Sequence, residues 1–241
     1  MVYMPDQLSI PPKPITEVWR PELVALPRLT FARRVFRQFT RLLMKTLIFT
    51  LTRPTVTGLE NFPRKGPALI VINHLGDADV VLVGAYTPVM FDGMGKIELN
   101  DHWFAGPMMR AYGIIWVHRG RPDRKAIRAA LEGLAEGRIV GIAPEGRQSM
   151  IGGLEEGNEG AAFLALKSGA PIIPVAMTGT ENENIWRHVK CFQRAPVTLA
   201  VGKPFFLREH ADRQEMMRDG TRQIMRSLAD LLPESYRGNY K

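Results

Sequence analysis

Residues 67–79, PALIVINHLGDAD, join an unbroken apolar run to a polar cluster, and this stretch indicates the fold class. The run at 68–72 has no helical period and is rich in β-branched residues, which indicates a buried strand. His74 and two carboxylates, Asp77 and Asp79, follow it directly, just before apolar residues resume at helical spacing. Ligands of open α/β sheets bind at the carboxyl ends of strands. A candidate site therefore lies where this strand becomes a helix.

Strand and helix patterns alternate along the rest of the chain. The predicted strands are 55–57, 68–72, 95–99, 114–118, 139–143, 172–176 and 197–201, and the predicted helices are 31–50, 79–85, 122–137, 161–168 and a terminal helix from Asp212. Strands joined through single helices with short links indicate parallel crossovers. We therefore predict one α/β domain at 53–241, with a mostly parallel central sheet flanked by helices. Residues 1–52 are predicted to be an irregular tail followed by a basic amphipathic helix.

The net charge of +8 is concentrated in the segment that contains the N-terminal helix. Seven basic residues and no acid lie between Arg28 and Arg53. One helical face carries Arg34, Arg37, Arg41 and Lys45, and the opposite face carries Phe31, Val35, Phe39, Leu42 and Leu43. This pattern favours binding in the plane of an anionic membrane. The alternative is a helix packed on the core with its basic face in water. Nucleic-acid binding is not expected, because no module that reads nucleic acid accompanies the helix.

The cysteine content and the N-terminal sequence indicate the compartment. The single cysteine, Cys191, excludes an intramolecular disulfide and a cysteine-only zinc site and fits a reducing environment. The N-terminus lacks a signal-peptide pattern, and no apolar segment reaches the roughly 18–20 residues that span a bilayer. We expect a cytoplasmic protein, or one bound peripherally to the cytoplasmic face of a membrane.

Polar clusters follow three of the predicted strands. They are His74 with Asp79, then Arg119, then Glu145 with its neighbours Gly146 and Arg147. If the three strands are parallel neighbours, the clusters converge on one edge of the sheet. That edge would offer a base, a carboxylate to orient it, and guanidinium groups for an anion.

His74 and Asp79 need a turn between them in order to meet. Five residues apart on a helix, they would lie about 140° apart, but Gly76 permits a turn. In that turn Asp79 could accept the Nδ1 proton of His74, which leaves Nε2 to remove a hydroxyl proton. Alternatively, Asp77 or Asp79 is only the N-cap of the following helix.

Four sequence blocks resemble the glycerolipid acyltransferase family that includes the 1-acylglycerol-3-phosphate acyltransferases. Residues 73–79 match its NHxxxxD motif, and GIIWVHR at 113–119 matches its second block. PEGRQS at 144–149 corresponds to a third block that is usually PEGTRS, and APIIPVA at 170–176 matches the fourth. The blocks occur in the order and spacing of the family, from about residue 56 to residue 179.

The resemblance implies that the domain at 53–241 is an acyltransferase. His74 would be the general base that deprotonates a lipid hydroxyl, which attacks the thioester of acyl-CoA or acyl-carrier protein, and Asp79 would orient His74. Arg119, Glu145 and Gly146 would help to bind a lysolipid acceptor such as 1-acylglycerol 3-phosphate. The resemblance implies no metal, no cofactor and no acyl-enzyme intermediate.

Two departures from the family pattern concern the acceptor. The family arginine of the third block is replaced by Gln148, with Arg147 beside it as a substitute candidate for substrate binding. A lysine usual shortly after that block is missing from the acidic stretch 155–159. Both changes remove positive charge, so an acceptor without phosphate is an alternative. Phospholipid transacylation and a non-catalytic membrane-binding role are further alternatives.

Overall fold

A central sheet organises the chain. The computed structural model describes residues 11–208 and 212–241, so the first ten residues of the predicted tail lie outside it. Within those ranges the sheet has seven strands in the order β1-β7-β6-β2-β5-β3-β4. The strands are β1 Thr52–Thr57, β2 Ala68–Ile72, β3 Asp92–Lys96, β4 Ile115–Val117, β5 Ile139–Ile142, β6 Ile172–Thr178 and β7 Ala195–Val201. All neighbours are parallel except β6 and β7.

Helices cover both faces of this sheet. They are α1 Phe31–Leu51, α2 Ala78–Tyr86, α3 Ala105–Tyr112, α4 Arg124–Ala135, α5 Gly160–Ser168, α6 Asn182–Lys190 and α7 Arg213–Ala229. In β2, Leu69 and Val71 pack in the core layer that contains residues of α4, α5 and α7. Ala68 and Ile70 pack in the opposite layer, with residues of α1 and α2. Burial on both faces explains why β2 is apolar without alternation, and the predicted fold class is confirmed.

The predicted strand at 95–99 is wrong in its position. The strand is Asp92–Lys96, and Ile97–Asp101 is a 3-10 helix. Ile97 is buried from that helical turn and produced the apolar signal. The true strand is hidden by glycines, and a Cβ on Gly95 would lie 2.6 Å from Cδ1 of Ile114. Glycines therefore occupy positions of this strand where sequence patterns expect β-branched residues.

Helix α1 turns its apolar face away from the domain. Phe31 is 83% exposed and Leu42 is 64% exposed. On the opposite side Arg37 is buried, and its Nη2 donates to Oδ1 of Asp92 at 2.5 Å. The core-packing alternative requires the apolar face to pack on the core, but in the structure this face is exposed. None of the described helices combines the length and the apolar composition needed to cross a bilayer.

Candidate active site

The turn between β2 and α2 brings His74 and Asp79 together. Oδ2 of Asp79 accepts three hydrogen bonds, from Nδ1 of His74 at 2.8 Å, the backbone N–H of Leu75 at 2.7 Å and that of Gly76 at 2.9 Å. Asp79 is completely buried, whereas the His74 side chain is 23% exposed. One carboxylate oxygen thus closes the turn and orients the imidazole.

The helix-capping alternative does not describe this turn. Asp77 occupies the N-cap position, but its side chain accepts no hydrogen bond from the first turn of α2. Its Oδ1 instead accepts from Nε2 of Gln148 at 2.8 Å, and its backbone N–H donates to Oδ1 of Asn182 at 2.9 Å. Asp79 lies inside the first turn of the helix and bonds backward to the residues before it.

Gly76 is required by close packing behind the turn. A Cβ at this position would lie 2.3 Å from the carbonyl oxygen of Thr180 and 2.9 Å from Oδ1 of Asn182. Real Cβ atoms do not approach backbone oxygens so closely, so a side chain would displace the turn. The loop between β6 and α6 therefore holds the turn in place.

Asn73 fixes the end of β2 to the neighbouring strand β6. Its Nδ2 donates to the carbonyl oxygen of Met177 at 2.9 Å, and its Oδ1 accepts from the N–H of Met177 at 2.7 Å. The buried amide thus imitates a pair of sheet hydrogen bonds. The residue before His74 is held rigidly, so the imidazole starts from a fixed backbone.

Glu145 supports the His74 backbone from behind. Its Oε1 accepts from the N–H of His74 at 3.0 Å, and its Oε2 accepts from the N–H of Glu155 at 2.8 Å. Burial raises the pKa of Glu145 to about 7, and these hydrogen bonds and nearby His74 oppose that rise. The side chain is only 1% exposed, so it holds the loop and does not present an oxygen to solvent.

Gly146 and Arg147 continue the loop after β5. Gly146 has a φ of +74°, which favours glycine. Nε of Arg147 donates to Oε2 of buried Glu155 at 2.7 Å, and its Nη1 donates to the carbonyl oxygen of Pro11 at 2.7 Å. The Arg147 guanidinium is therefore already engaged by the protein.

Arg119 lies apart from the His74 group. Strand β3 separates its strand, β4, from β5, so the three polar clusters do not end on adjacent strands. Nη2 of Arg119 donates to Oε1 of Glu98 at 3.1 Å, and its backbone N–H donates to Oγ1 of Thr16 at 2.8 Å. Hydrogen bonds join His74, Asp79 and Glu145 into one group. Arg119 instead belongs to a separate group with Glu98 and Thr16.

A second histidine–aspartate pair, His118 and Asp123, has the same five-residue spacing as His74 and Asp79. The sequence patterns did not indicate this pair. Nδ1 of buried His118 contacts Oδ2 of Asp123 at 2.6 Å. Its Nε2 accepts from the N–H of Arg20 at 2.9 Å, so this nitrogen is not available as a base. Within residues 11–208 and 212–241, by contrast, no protein group hydrogen-bonds Nε2 of His74. That difference separates a candidate base from a structural histidine.

The described part of the chain contains no group of three or more His, Cys, Asp or Glu residues that could hold a metal ion.

Comparisons with known proteins agree with the motifs. A family model described as Acyltransferase matches residues 53–178. A 1-acyl-sn-glycerol-3-phosphate acyltransferase of Borreliella burgdorferi is 33% identical over 130 residues, which are 53% of this chain and 52% of the relative. One of Bacillus subtilis is 27% identical over 182 residues, which are 73% of this chain and 87% of the relative.

Two further proteins are similar to this chain. A lyso-ornithine lipid O-acyltransferase of Pseudomonas aeruginosa is 32% identical over 117 residues, which are 48% of this chain and 44% of the relative. The chain thus spans about half the length of several curated relatives. The crystal structure of a 1-acyl-sn-glycerophosphate acyltransferase from Thermotoga maritima matches with a TM-score of 0.62 and 21% identity, covering 84% of each chain. That match supports the fold.

Proposed function

Since this chain belongs to the acyltransferase family, we propose that it transfers a fatty acyl group from acyl-CoA or acyl-carrier protein to the hydroxyl of a lysolipid. The observation that carries the proposal is the His74–Asp79 pair. Nδ1 of His74 is held by a buried carboxylate, and the side chain is partly exposed. If Nδ1 carries the proton, Nε2 has its lone pair available for an acceptor hydroxyl.

The proposed reaction uses this arrangement. Nε2 of His74 takes the proton of the acceptor hydroxyl as its oxygen attacks the thioester carbonyl carbon. The new C–O bond forms, the C–S bond breaks, and the leaving thiolate takes the proton back from the imidazolium. The Asp79 carboxylate stabilises the transient imidazolium. General-base catalysis of this kind contributes on the order of 10²- to 10⁴-fold in rate.

The acceptor has two candidates. A lysophospholipid such as 1-acylglycerol 3-phosphate is the first, because several relatives are named for that activity. A lysolipid without phosphate is the second. Two observations favour it: Gln148 bonds Asp77 where the family has an arginine, and one relative is named as a lyso-ornithine lipid acyltransferase.

The reaction assay supplies purified protein with labelled acyl-CoA or acyl-carrier protein in separate reactions. Each donor is tested with 1-acylglycerol 3-phosphate, lyso-ornithine lipid and 1-acylglycerol of the same chain length. We expect a labelled diacyl product with at least one acceptor. A third set of reactions supplies a labelled intact phospholipid as the donor, and transfer from this donor alone would support the transacylase alternative. Absence of acylation with every pair would contradict the proposal and favour a non-catalytic membrane-binding relative.

We also propose that α1 binds an anionic membrane peripherally, on the cytoplasmic face. Its outward apolar residues are exposed, and they include Phe31, Val35, Phe39, Leu42 and Leu43. Arg34 and Lys45 are exposed beside them and can contact lipid phosphates. Such a helix lies in the interface with its apolar side toward the acyl chains.

The membrane proposal is tested by sedimentation with vesicles that contain phosphatidylglycerol. Replacing both Phe39 and Leu42 by Ser removes apolar area without touching the buried side of α1, so we expect weaker pelleting. Gln38→Ser, on the same exposed side, is the matched control. Equal pelleting of the double variant and the wild type would contradict this role for α1.

A further inference from the structure

The N-terminal segment at residues 11–20 contacts the loops after β5 and β4, which carry the candidate acceptor-binding arginines. The carbonyl oxygen of Pro11 accepts from Nη1 of Arg147 at 2.7 Å. The N–H of Thr16 donates to the carbonyl oxygen of Arg119 at 3.0 Å, and its Oγ1 accepts from the N–H of Arg119 at 2.8 Å. The segment therefore runs from the loop after β5 to the loop after β4.

Lys13 comes with this segment to the loop after β5. Its Nζ donates to the carbonyl oxygen of Glu156 at 2.6 Å and lies 3.5 Å from Oδ1 of Asn158. Asn158 in turn donates through Nδ2 to the carbonyl oxygen of Glu145 at 3.2 Å. Burial lowers the pKa of Lys13, and the carboxylates of Glu155, Glu145 and Glu156 oppose that change. Lys13 thus places its amino group beside the loop where the sequence lacks the expected positive charge.

The nearby guanidinium is less free to bind a substrate. Arg147 is paired with Glu155, and both side chains are nearly buried. Drawing it toward a headgroup would leave a buried carboxylate without its partner, which is costly. Lys13 is half-buried, and its Nζ is held by a backbone carbonyl and a weak amide contact. A lysine on a flexible stem can turn to an anion at the cost of those bonds.

We propose that Lys13 is a specificity-determining residue of the acceptor site, and that its ammonium binds the anionic headgroup of the lysolipid. This inference rests on the proposed function. The shared chemistry is an anionic oxygen, which a phosphate or a carboxylate supplies. Lys13 replaces, from the N-terminal segment, the charge that is absent at Gln148 and in residues 155–159.

The segment is anchored well enough to hold Lys13 in place. Thr16 is buried and donates through Oγ1 to Oε1 of Glu98 at 3.0 Å. The N–H of Arg20 donates to Nε2 of His118 at 2.9 Å, and the ring of Trp19 stacks on that imidazole with centroids 4.1 Å apart. The His118–Asp123 pair therefore fixes the far end of the segment that carries Lys13.

The first test compares acceptors of one chain length that differ in headgroup charge. For Lys13→Gln we expect KM to rise about tenfold with the preferred anionic acceptor, the loss of one charged hydrogen bond. KM for uncharged 1-acylglycerol should change less than about twofold, and kcat should hold, because Lys13 does not touch the reacting atoms. Lys13→Arg should restore most of the affinity. Separate arms with 1-acylglycerol 3-phosphate and lyso-ornithine lipid tell phosphate from carboxylate.

Lys65→Gln is the matched control. Lys65 is exposed in the link before β2, at the amino end of that strand and away from the His74 turn. It should leave KM unchanged for every acceptor. Unchanged KM in Lys13→Gln, or an equal rise for charged and uncharged acceptors, would overturn the inference, because the second result would mean a purely structural role.

A binding measurement separates this inference from the proposed function. Calorimetric titration with short-chain 1-acylglycerol 3-phosphate and short-chain lyso-ornithine lipid, without any acyl donor, reports affinity alone. We expect Lys13→Gln to weaken binding of one of them about tenfold, with Lys65→Gln unchanged. Lys13-dependent binding by a protein that transfers no acyl group would refute the proposed function and leave the inference standing. Equal binding by wild type and Lys13→Gln, or no binding by wild type, would refute the inference.

Discussion

Replacing Asp79 separates its structural contribution from its chemical one. Asp79→Ala removes the acceptor of two buried backbone N–H groups, those of Leu75 and Gly76. Each unsatisfied group costs about 1–3 kcal/mol, so unfolding free energy should fall by about 2–6 kcal/mol. In Asp79→Asn the amide oxygen can keep all three bonds. Its NH₂ would replace Oδ1, which is buried without a partner in the described residues, so the cost is about 1–3 kcal/mol.

The two variants should lose activity alike despite their different stability. Neither provides the negative charge that stabilises the imidazolium, so we expect kcat to fall on the order of 10²- to 10⁴-fold in both. Urea unfolding followed by circular dichroism gives the stability, and initial rates at saturating donor give kcat. Asp77→Asn, on the exposed side of the same turn, is the control. Equal stability of the Ala and Asn variants, or wild-type kcat in Asp79→Asn, would refute this account of Asp79.

Three further predictions concern the support of the site and the attachment of α1. Since the pKa of Glu145 rises from 4.5 to about 7, the folded protein holds a proton that the unfolded chain releases between these values. Stability should thus fall by about 3 kcal/mol as pH rises through that window, and urea titrations of Glu145→Gln should lack this decline. Gly76→Ala should lower kcat more than about tenfold and reduce the free energy of unfolding by about 1–3 kcal/mol. Gly160→Ala, with open space around its Cβ, should change neither quantity. Equal melting temperatures and equal rates of the two variants would count against the packing argument. Arg37→Ala should cost about 3 kcal/mol in urea unfolding by leaving Asp92 without its close partner, whereas a loss as small as that of exposed Arg34→Ala would show that the ion pair contributes little.

The β2 strand and its turn could be predicted because their signals are local. A strand buried on both faces is apolar at every position, as residues 68–72 are, and the polar residues begin where burial ends. The spacing of His74 and Asp79 also implied a turn. The spacing did not reveal that Asp79 accepts from two backbone N–H groups, because those bonds depend on the path of the turn.

Features set by distant contacts could not be predicted. Nothing local in DGMGK at 92–96 shows that this strand lies between β5 and β4, and that insertion is why Arg119 lies away from the His74 group. The helix pattern showed two faces of α1 but not which one packs inward. That choice depends on partners such as Asp92, which is 55 residues from Arg37 in the chain. Lys13 was equally invisible, since its contacts lie more than 140 residues away.

The central claim is that His74 is the general base of acyl transfer. The most direct measurement is kcat of purified His74→Ala with the preferred donor and acceptor, beside His188→Ala on α6 as the control. We predict that His74→Ala loses on the order of 10²- to 10⁴-fold in kcat while its circular dichroism spectrum matches the wild type, and that His188→Ala keeps its rate. Undiminished transfer by a folded His74→Ala protein would contradict the account.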